Sequence, residues 1–329
     1  MSANIIKKPF FAWPLLVIAV IAVSSAGAVL QEMSVIPPFL RASWRMYATS
    51  IVLLPGLFFQ WTNKELDKPN KRDWLLIFYS SIFLAIHFGS WIWSLDNTSL
   101  VRSLLFVTSH PLVVVSIMPI IGIKVKKAHI IGATIGFFGA VISLGDIGSI
   151  GQASLAGDAA AFFGAISVVG YLFIGKYLRT DREIPVFIYA LPVTFVAGLI
   201  LTISSICLEG TSIYSTIPEK SAFGWLDAMW LPWIAFLAFG PGLMGHTGIN
   251  TLLKWVSPIV VSISLLFEPV IGGIVGWFFT NELILGKYTT IGGLLMITGA
   301  IIITLEENSE NLVKDVTAID TAKTPKGNS

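Results

Sequence analysis

Residues 99–117 read SLVRSLLFVTSHPLVVVSI and residues 257–275 read SPIVVSISLLFEPVIGGIV. At an offset of 158, Ser99 falls on Ser257 and Ser109-His110-Pro111 falls on Phe267-Glu268-Pro269. Past a two-residue gap near a short basic loop, Gly132, Gly139 and Ala140 fall on Gly292, Gly299 and Ala300 at an offset of 160. Upstream, His87 to Leu95 aligns with Gly245 to Leu253 at the same 158. The chain reads as one helical unit used twice.

Composition says what kind of unit it is. Of 329 residues, 55% are apolar or aromatic and only 12% are charged, half the roughly 25% of a soluble domain. Mean hydropathy is +0.81. That composition excludes a soluble enzyme or a disordered scaffold. A net charge of +2 is too small to imply a nucleic-acid partner. The single cysteine, Cys207, allows no intramolecular disulfide and no Cys-based metal site, and reads as a small buried hydrophobe.

Ten apolar segments follow one another, at about 12–30, 38–60, 74–94, 99–122, 128–145, 156–177, 185–207, 229–250, 257–280 and 287–305. They are continuous runs long enough for helices and lack the alternation of barrel strands. The expected fold is an all-α polytopic membrane protein of ten transmembrane helices. Placing the N-terminus in the cytoplasm puts sixteen of the 21 basic residues on the inner side and three outside, with Arg41 and Arg45 inside the second helix. That bias places both termini inside. Lys7 and Lys8 ahead of a run ending in Ala26-Gly27-Ala28 imitate a signal peptide. The run is long enough to span, and removing it would break the even helix count.

Five helices per repeat is odd, so the second repeat enters the membrane inverted relative to the first. Residues 12–145 form the first repeat, 146–305 the second, and 306–329 a polar tail expected to be disordered. Inverted repeats place a substrate site near the bilayer midplane, between the halves.

Further motifs carry a resemblance. Pro37 and Arg45 make a P-x(7)-R pattern in the second helix, Leu155-Ala-Gly-Asp158 opens the sixth, and Tyr171 follows along it. Glu268-Pro269, Asn281-Glu282 and the Gly292-Gly293 to Gly299-Ala300 helix complete the set. From about residue 12 to 305 the chain resembles the drug/metabolite transporter superfamily, in particular proteins with two EamA domains. It departs in carrying Val23-Ser-Ser-Ala-Gly27 where the first helix of that family has a Trp-Gly-Ser/Thr-like segment. It also has Arg102 where small residues are usual and Lys124 where Glu is frequent. These departures bear on substrate class. The resemblance implies a ten-helix carrier of small metabolites, often amino acids, exporting them across the cell membrane or, alternatively, working in an endomembrane.

Ionisable groups inside membrane helices are costly and mark cavities or partners. Glu268 is expected midway along the ninth helix, ending a polar stripe with Ser257 and Ser264. It suits an amine, a cation or a proton, or else serves as a structural carboxylate beside Pro269. His87 and His246 fall at nearly equivalent positions of the two repeats, with Trp91 and Asn250 one turn on. His110 is the counterpart of Glu268, and a pair of groups there would open a route to proton coupling. Trp91 and Tyr171 offer rings for stacking. The expected substrate-binding set is therefore His87, Trp91, His110, Tyr171, His246, Asn250 and Glu268, with no metal and no cofactor.

Arg45 has three readings: a substrate carboxylate, a partner such as Glu32 or Glu268, or snorkelling. Arg102 and Asp96 suggest an ion pair at the outer rim, and Asp158 an N-cap. The glycines of the fifth and tenth helices read as a close helix contact, within the chain or in a homodimer. Partners are then a small-molecule substrate and the lipid bilayer. No zinc, nucleophile-elbow or Walker A motif is present, so the chain does not read as an enzyme. Two alternatives are an organic-phosphate or nucleotide-sugar antiporter and a non-transporting membrane scaffold.

Overall fold

The computed structural model describes residues 10–66, 68–117, 119–120, 124–146, 154–252, 255–256, 261, 264–280 and 286–323. Side chains are described as far as Glu306, apart from Thr280 and Thr304. The described residues are helical without a named strand. The helices are α1 (Ala12–Glu32), α2 (Pro38–Thr62), α3 (Lys71–Leu95), α4 (Leu100–Val107), α5 (His110–Ile117) and α6 (Lys127–Ser143), then α7 (Leu155–Lys176), α8 (Val186–Leu208), α9 (Leu231–Leu237), α10 (Gly248–Leu252), α11 (Glu268–Thr280) and α12 (Lys287–Lys323).

Six segments among the described residues are long and apolar enough to cross a membrane. They are α1, α3, the α4–α5 pair, α6, α7 and α8 with their short extensions. The second expected span, α2, has the length but carries Arg41, Arg45 and several hydroxyls on a buried face. The eighth is split: α9 and α10 flank a π-helical stretch, Ala238–Thr247, which contains Pro241. Apolar residues elsewhere face outward, Phe58 and Phe59 at 73% exposure each, as a lipid-facing surface requires. Cys207 joins that exposed set, contrary to the buried reading. Its place near the end of α8 turns it away from the bundle.

Prolines act in two ways. Pro55 and Pro192 sit inside continuous helices, α2 and α8. Pro111 and Pro269 stand second in α5 and α11, so each follows a break. A proline lacks the N–H that a helix interior needs, but the first turn tolerates it. The expected fourth span is therefore two half-helices parted at Thr108-Ser109. Glu268 opens α11 instead of lying midway along a helix. Ser257, Asn281 and Glu282, part of the ninth-helix reading, lie outside the described residues.

Helix packing pairs the elements across the chain. α1 packs on α11 and on the π-helical stretch; α7 packs on α3 and on α4; α2 packs on α8; α6 packs on α12. The last contact is made by backbone. A Cβ added at Gly132 would lie 2.6 Å from the Gly299 carbonyl oxygen, and one at Gly139 would lie 2.6 Å from that of Gly292. The glycine faces of the two helices meet within the chain, so they are not free to pair two copies.

Two ion pairs built on buried arginines close one end of the bundle. Arg41 donates to Asp96 and to the Leu30 carbonyl, tying α1, α2 and α3 together. Arg102 donates to both oxygens of Asp158, to the Ser143 carbonyl and to Thr289 Oγ1, tying α4, α6, α7 and α12. The expected Arg102–Asp96 pair is thus replaced by two others. Asp158 serves as Arg102's counter-ion, while Ser154 caps α7 through Gly157 N. Glu209 reaches back from the end of α8 to accept from Phe39 N (2.8 Å) and Leu40 N (3.2 Å), satisfying the open donors at the start of α2. The 209–230 segment folds over the same end. Trp230 is buried there beside Trp44. At the opposite ends of α3 and α6 the pairs are wetter: Arg182 bonds Asp73 and Lys126 bonds Glu306.

Candidate functional site

Where α1, α2, α3, α4–α5, α7, α10 and α11 converge, the bundle encloses a cavity. Its lining includes His87, Trp91, His110, Tyr171, His246, Asn250 and Glu268. All seven residues expected from sequence therefore come together, from segments up to 181 positions apart in the chain. The centre of a water molecule can range over about 60 Å³ of this space. One water needs about 10–15 Å³ on that measure, so the cavity suits a few waters or one small solute. Val23 and Ala26 of α1 also line it, which makes the first helix part of the site.

Each polar group has a definable state. His87 Nδ1 lies 3.0 Å from the Gly164 carbonyl oxygen, so the proton sits on Nδ1 and the Nε2 lone pair is left for another donor. The His87 ring stacks on Trp91, 6.3 Å between centroids and 15° between planes. Phe88 packs edgewise on His246 at 5.2 Å. Asn250 Nδ2 donates to the Tyr171 hydroxyl at 2.7 Å and to the His246 carbonyl at 3.0 Å. Tyr171 in turn stacks on Tyr189. Trp91 and Tyr171 thus already have ring partners, and each keeps one face or edge toward the cavity.

His110 and Glu268 each occupy the first position of a helix that starts inside the bundle. Sequence periodicity puts Glu268 inside a continuous helix. The break before it became visible only with tertiary packing, although Pro269 was the available signal.

One residue outside the expected set also lines the cavity. Arg45, on α2, is 1% exposed and its guanidinium lies 4.4 Å from the Phe88 ring centroid. The P-x(7)-R spacing marks the position, but its three readings could not be separated without the fold.

Comparison with known proteins agrees with this architecture. Residues 11–145 match the EamA-like transporter family. The match takes in under half of the chain; with six described segments long and apolar enough to cross a membrane, it supports a multi-pass membrane protein whose residues 11–145 resemble an EamA-like transporter domain. No curated protein matches it. It is similar to a protein of known crystal structure, 17% identical, with a TM-score of 0.60 over 91% of this chain and 98% of that one. At that identity the likeness concerns the fold alone.

Proposed function

We propose that the chain is a secondary carrier of small polar or zwitterionic metabolites, amino acids among them. It would work by alternating access of two inverted five-helix halves, residues 12–145 and 146–305. The observation that carries this reading is the cavity: polar groups from both halves meet there, beside the starts of two discontinuous helices. Carriers built on inverted repeats place their sites at such breaks.

The glycine contact supports the inversion. If residue i of one half corresponds to i + 160 of the other, Gly132 and Gly139 correspond to Gly292 and Gly299. The observed contacts are Gly132 with Gly299 and Gly139 with Gly292. Such a crossed, reciprocal pattern is what a two-fold axis generates. The other pairings follow the same rule, since α1 packs on the π-helical stretch of the eighth segment as α7 packs on α3. The ten-span count and the cytoplasmic termini belong to this reading, on the strength of the basic-residue bias.

In this scheme His87, Trp91, His110, Tyr171, His246, Asn250 and Glu268 bind the solute. Glu268 takes an amine or a proton, the histidines exchange hydrogen bonds or protons, and Trp91 and Tyr171 present ring surfaces. An organic phosphate fits less well, because the described residues of the lining include one Arg and no Lys. The test is uptake into proteoliposomes from a mixed pool of labelled amino acids, with and without an inward proton gradient. Saturable uptake lost in Glu268→Gln and in Trp91→Ala is expected. Uptake unchanged in both variants would remove the cavity from the mechanism, and no uptake by the wild type would remove the amino-acid reading.

A further inference from the structure

Three arginines are buried in the bundle, and they are not alike. Arg41 and Arg102 each hold an aspartate and a backbone carbonyl. Arg45, equally buried, forms no ion pair among the described residues and finds no hydrogen-bond partner there for its Nε and Nη1, whereas Arg41 leaves Nε alone unpartnered. Two rings lie against it, Phe88 at 4.4 Å and Trp91 at 6.0 Å from the guanidinium carbon, and the Glu268 carboxyl in the same cavity is close enough to act on its charge without bonding it. Rings hold the plane of a guanidinium and leave its N–H edges free.

Two more unpartnered nitrogens belong to the same cavity, Trp91 Nε1 and His110 Nε2. Arginine and tryptophan nitrogens can only donate. Buried polar groups in folded proteins are nearly always satisfied, and a cluster of unsatisfied donors lining one cavity calls for an explanation. A solute that pairs with these donors must bring acceptor atoms. A fork of guanidinium donors matches two carboxylate oxygens. Charge narrows the class further. Arg45 is the only Arg or Lys among the described residues of the lining, and Glu268 shares the space. A dianionic phosphate would bring two negative charges to one cation beside the Glu268 carboxyl, whereas a solute with one carboxylate and an amine matches both groups, its carboxylate to Arg45 and its amine to Glu268.

We infer that Arg45 is the anchor for a solute carboxylate, so that the transported molecule carries one such group. This rests on the carrier reading above and adds the chemical class that the site selects.

Binding and transport are measured separately, so that the two ideas can fail separately. The purified full chain in detergent is heated with each of a panel of amino acids, and with the methyl ester of each. The esters keep the body and the amine but cap the carboxylate. Wild type should be stabilised by one or more free acids and at least tenfold less potently by the matching ester. In Arg45→Gln that preference should fall to about one. Arg45→Lys, which keeps the charge without the fork, should be intermediate. A charge-assisted bidentate contact corresponds to a roughly tenfold to hundredfold effect. An acid–ester preference that survives in Arg45→Gln would overturn the inference, as would a wild type that no free acid stabilises. Acid-selective binding that depends on Arg45, with no uptake into proteoliposomes, would support the anchor and sink the carrier. Should Arg45→Gln fail to fold, competition by acid and ester for the Arg45→Lys variant decides. An undiminished preference there counts against the fork.

Discussion

Arg102→Met should be the most damaging substitution outside the cavity, and its cost follows from the bonds it removes. The side chain is 1% exposed and donates to both oxygens of Asp158, to the Ser143 carbonyl and to Thr289 Oγ1. Methionine keeps the stem's volume and deletes every donor. Asp158, itself 1% exposed, is left with the Thr98 hydroxyl at 2.9 Å as its remaining side-chain donor. Breaking a buried ion pair from one side costs about 3–5 kcal/mol, because the other charge stays in place without its partner. Replacing both members with apolar residues avoids that penalty and is often neutral. The double variant Arg102→Met, Asp158→Leu should therefore recover most of the loss, with a coupling of about 2–3 kcal/mol. Reversible unfolding in lipid–detergent bicelles, followed by helical circular dichroism, measures all four corners of the cycle. A single variant within about 1 kcal/mol of wild type would refute the reasoning. So would a double variant whose loss is the sum of the two singles.

Gly132→Val and Gly139→Val should each lower the thermal midpoint by an amount equivalent to about 1–3 kcal/mol or more, since the first added carbon already meets a carbonyl oxygen at 2.6 Å. Gly240→Ala, whose added carbon meets nothing closer than 3.9 Å, is the control that should leave the midpoint within about 0.5 kcal/mol. Glu209→Gln should loosen the start of α2 by about 1 kcal/mol, read as faster amide exchange at Phe39 and Leu40, which donate to that carboxylate.

Much of the architecture was legible because a membrane imposes simple rules. Apolar runs of helix length mark the helices, and a shared spacing of Gly132 and Gly139 with Gly292 and Gly299 marks a close contact that the structure then places between α6 and α12. The cavity residues were legible for a related reason, since a polar or ionisable group in such a run needs company. His87, Trp91, His110, Tyr171, His246, Asn250 and Glu268 do share one cavity. Partner choice was less legible. Arg102 takes Asp158, 56 residues away, instead of the nearby Asp96, which goes to Arg41. Proximity in sequence says little about which of two carboxylates a long side chain reaches once helices pack. Helix continuity was misread at His110 and Glu268 because apolar periodicity runs straight through a break. Arg45 kept three readings because exposure, pairing and cavity placement are all tertiary properties.

The two ends of the bundle would respond differently to ionic strength. The Arg102–Asp158 pair is sealed from water, with side chains 1% and 2% exposed, so dissolved ions cannot screen it. At the other end Lys126 and Glu306 are 37% and 28% exposed, and Arg182 is 39% exposed. Those contacts weaken as the Debye length shrinks from about 10 Å at 0.1 M to about 3 Å at 1 M. Added electrolyte would thus act as a one-sided solvent, softening the wet end while the sealed end keeps its hold.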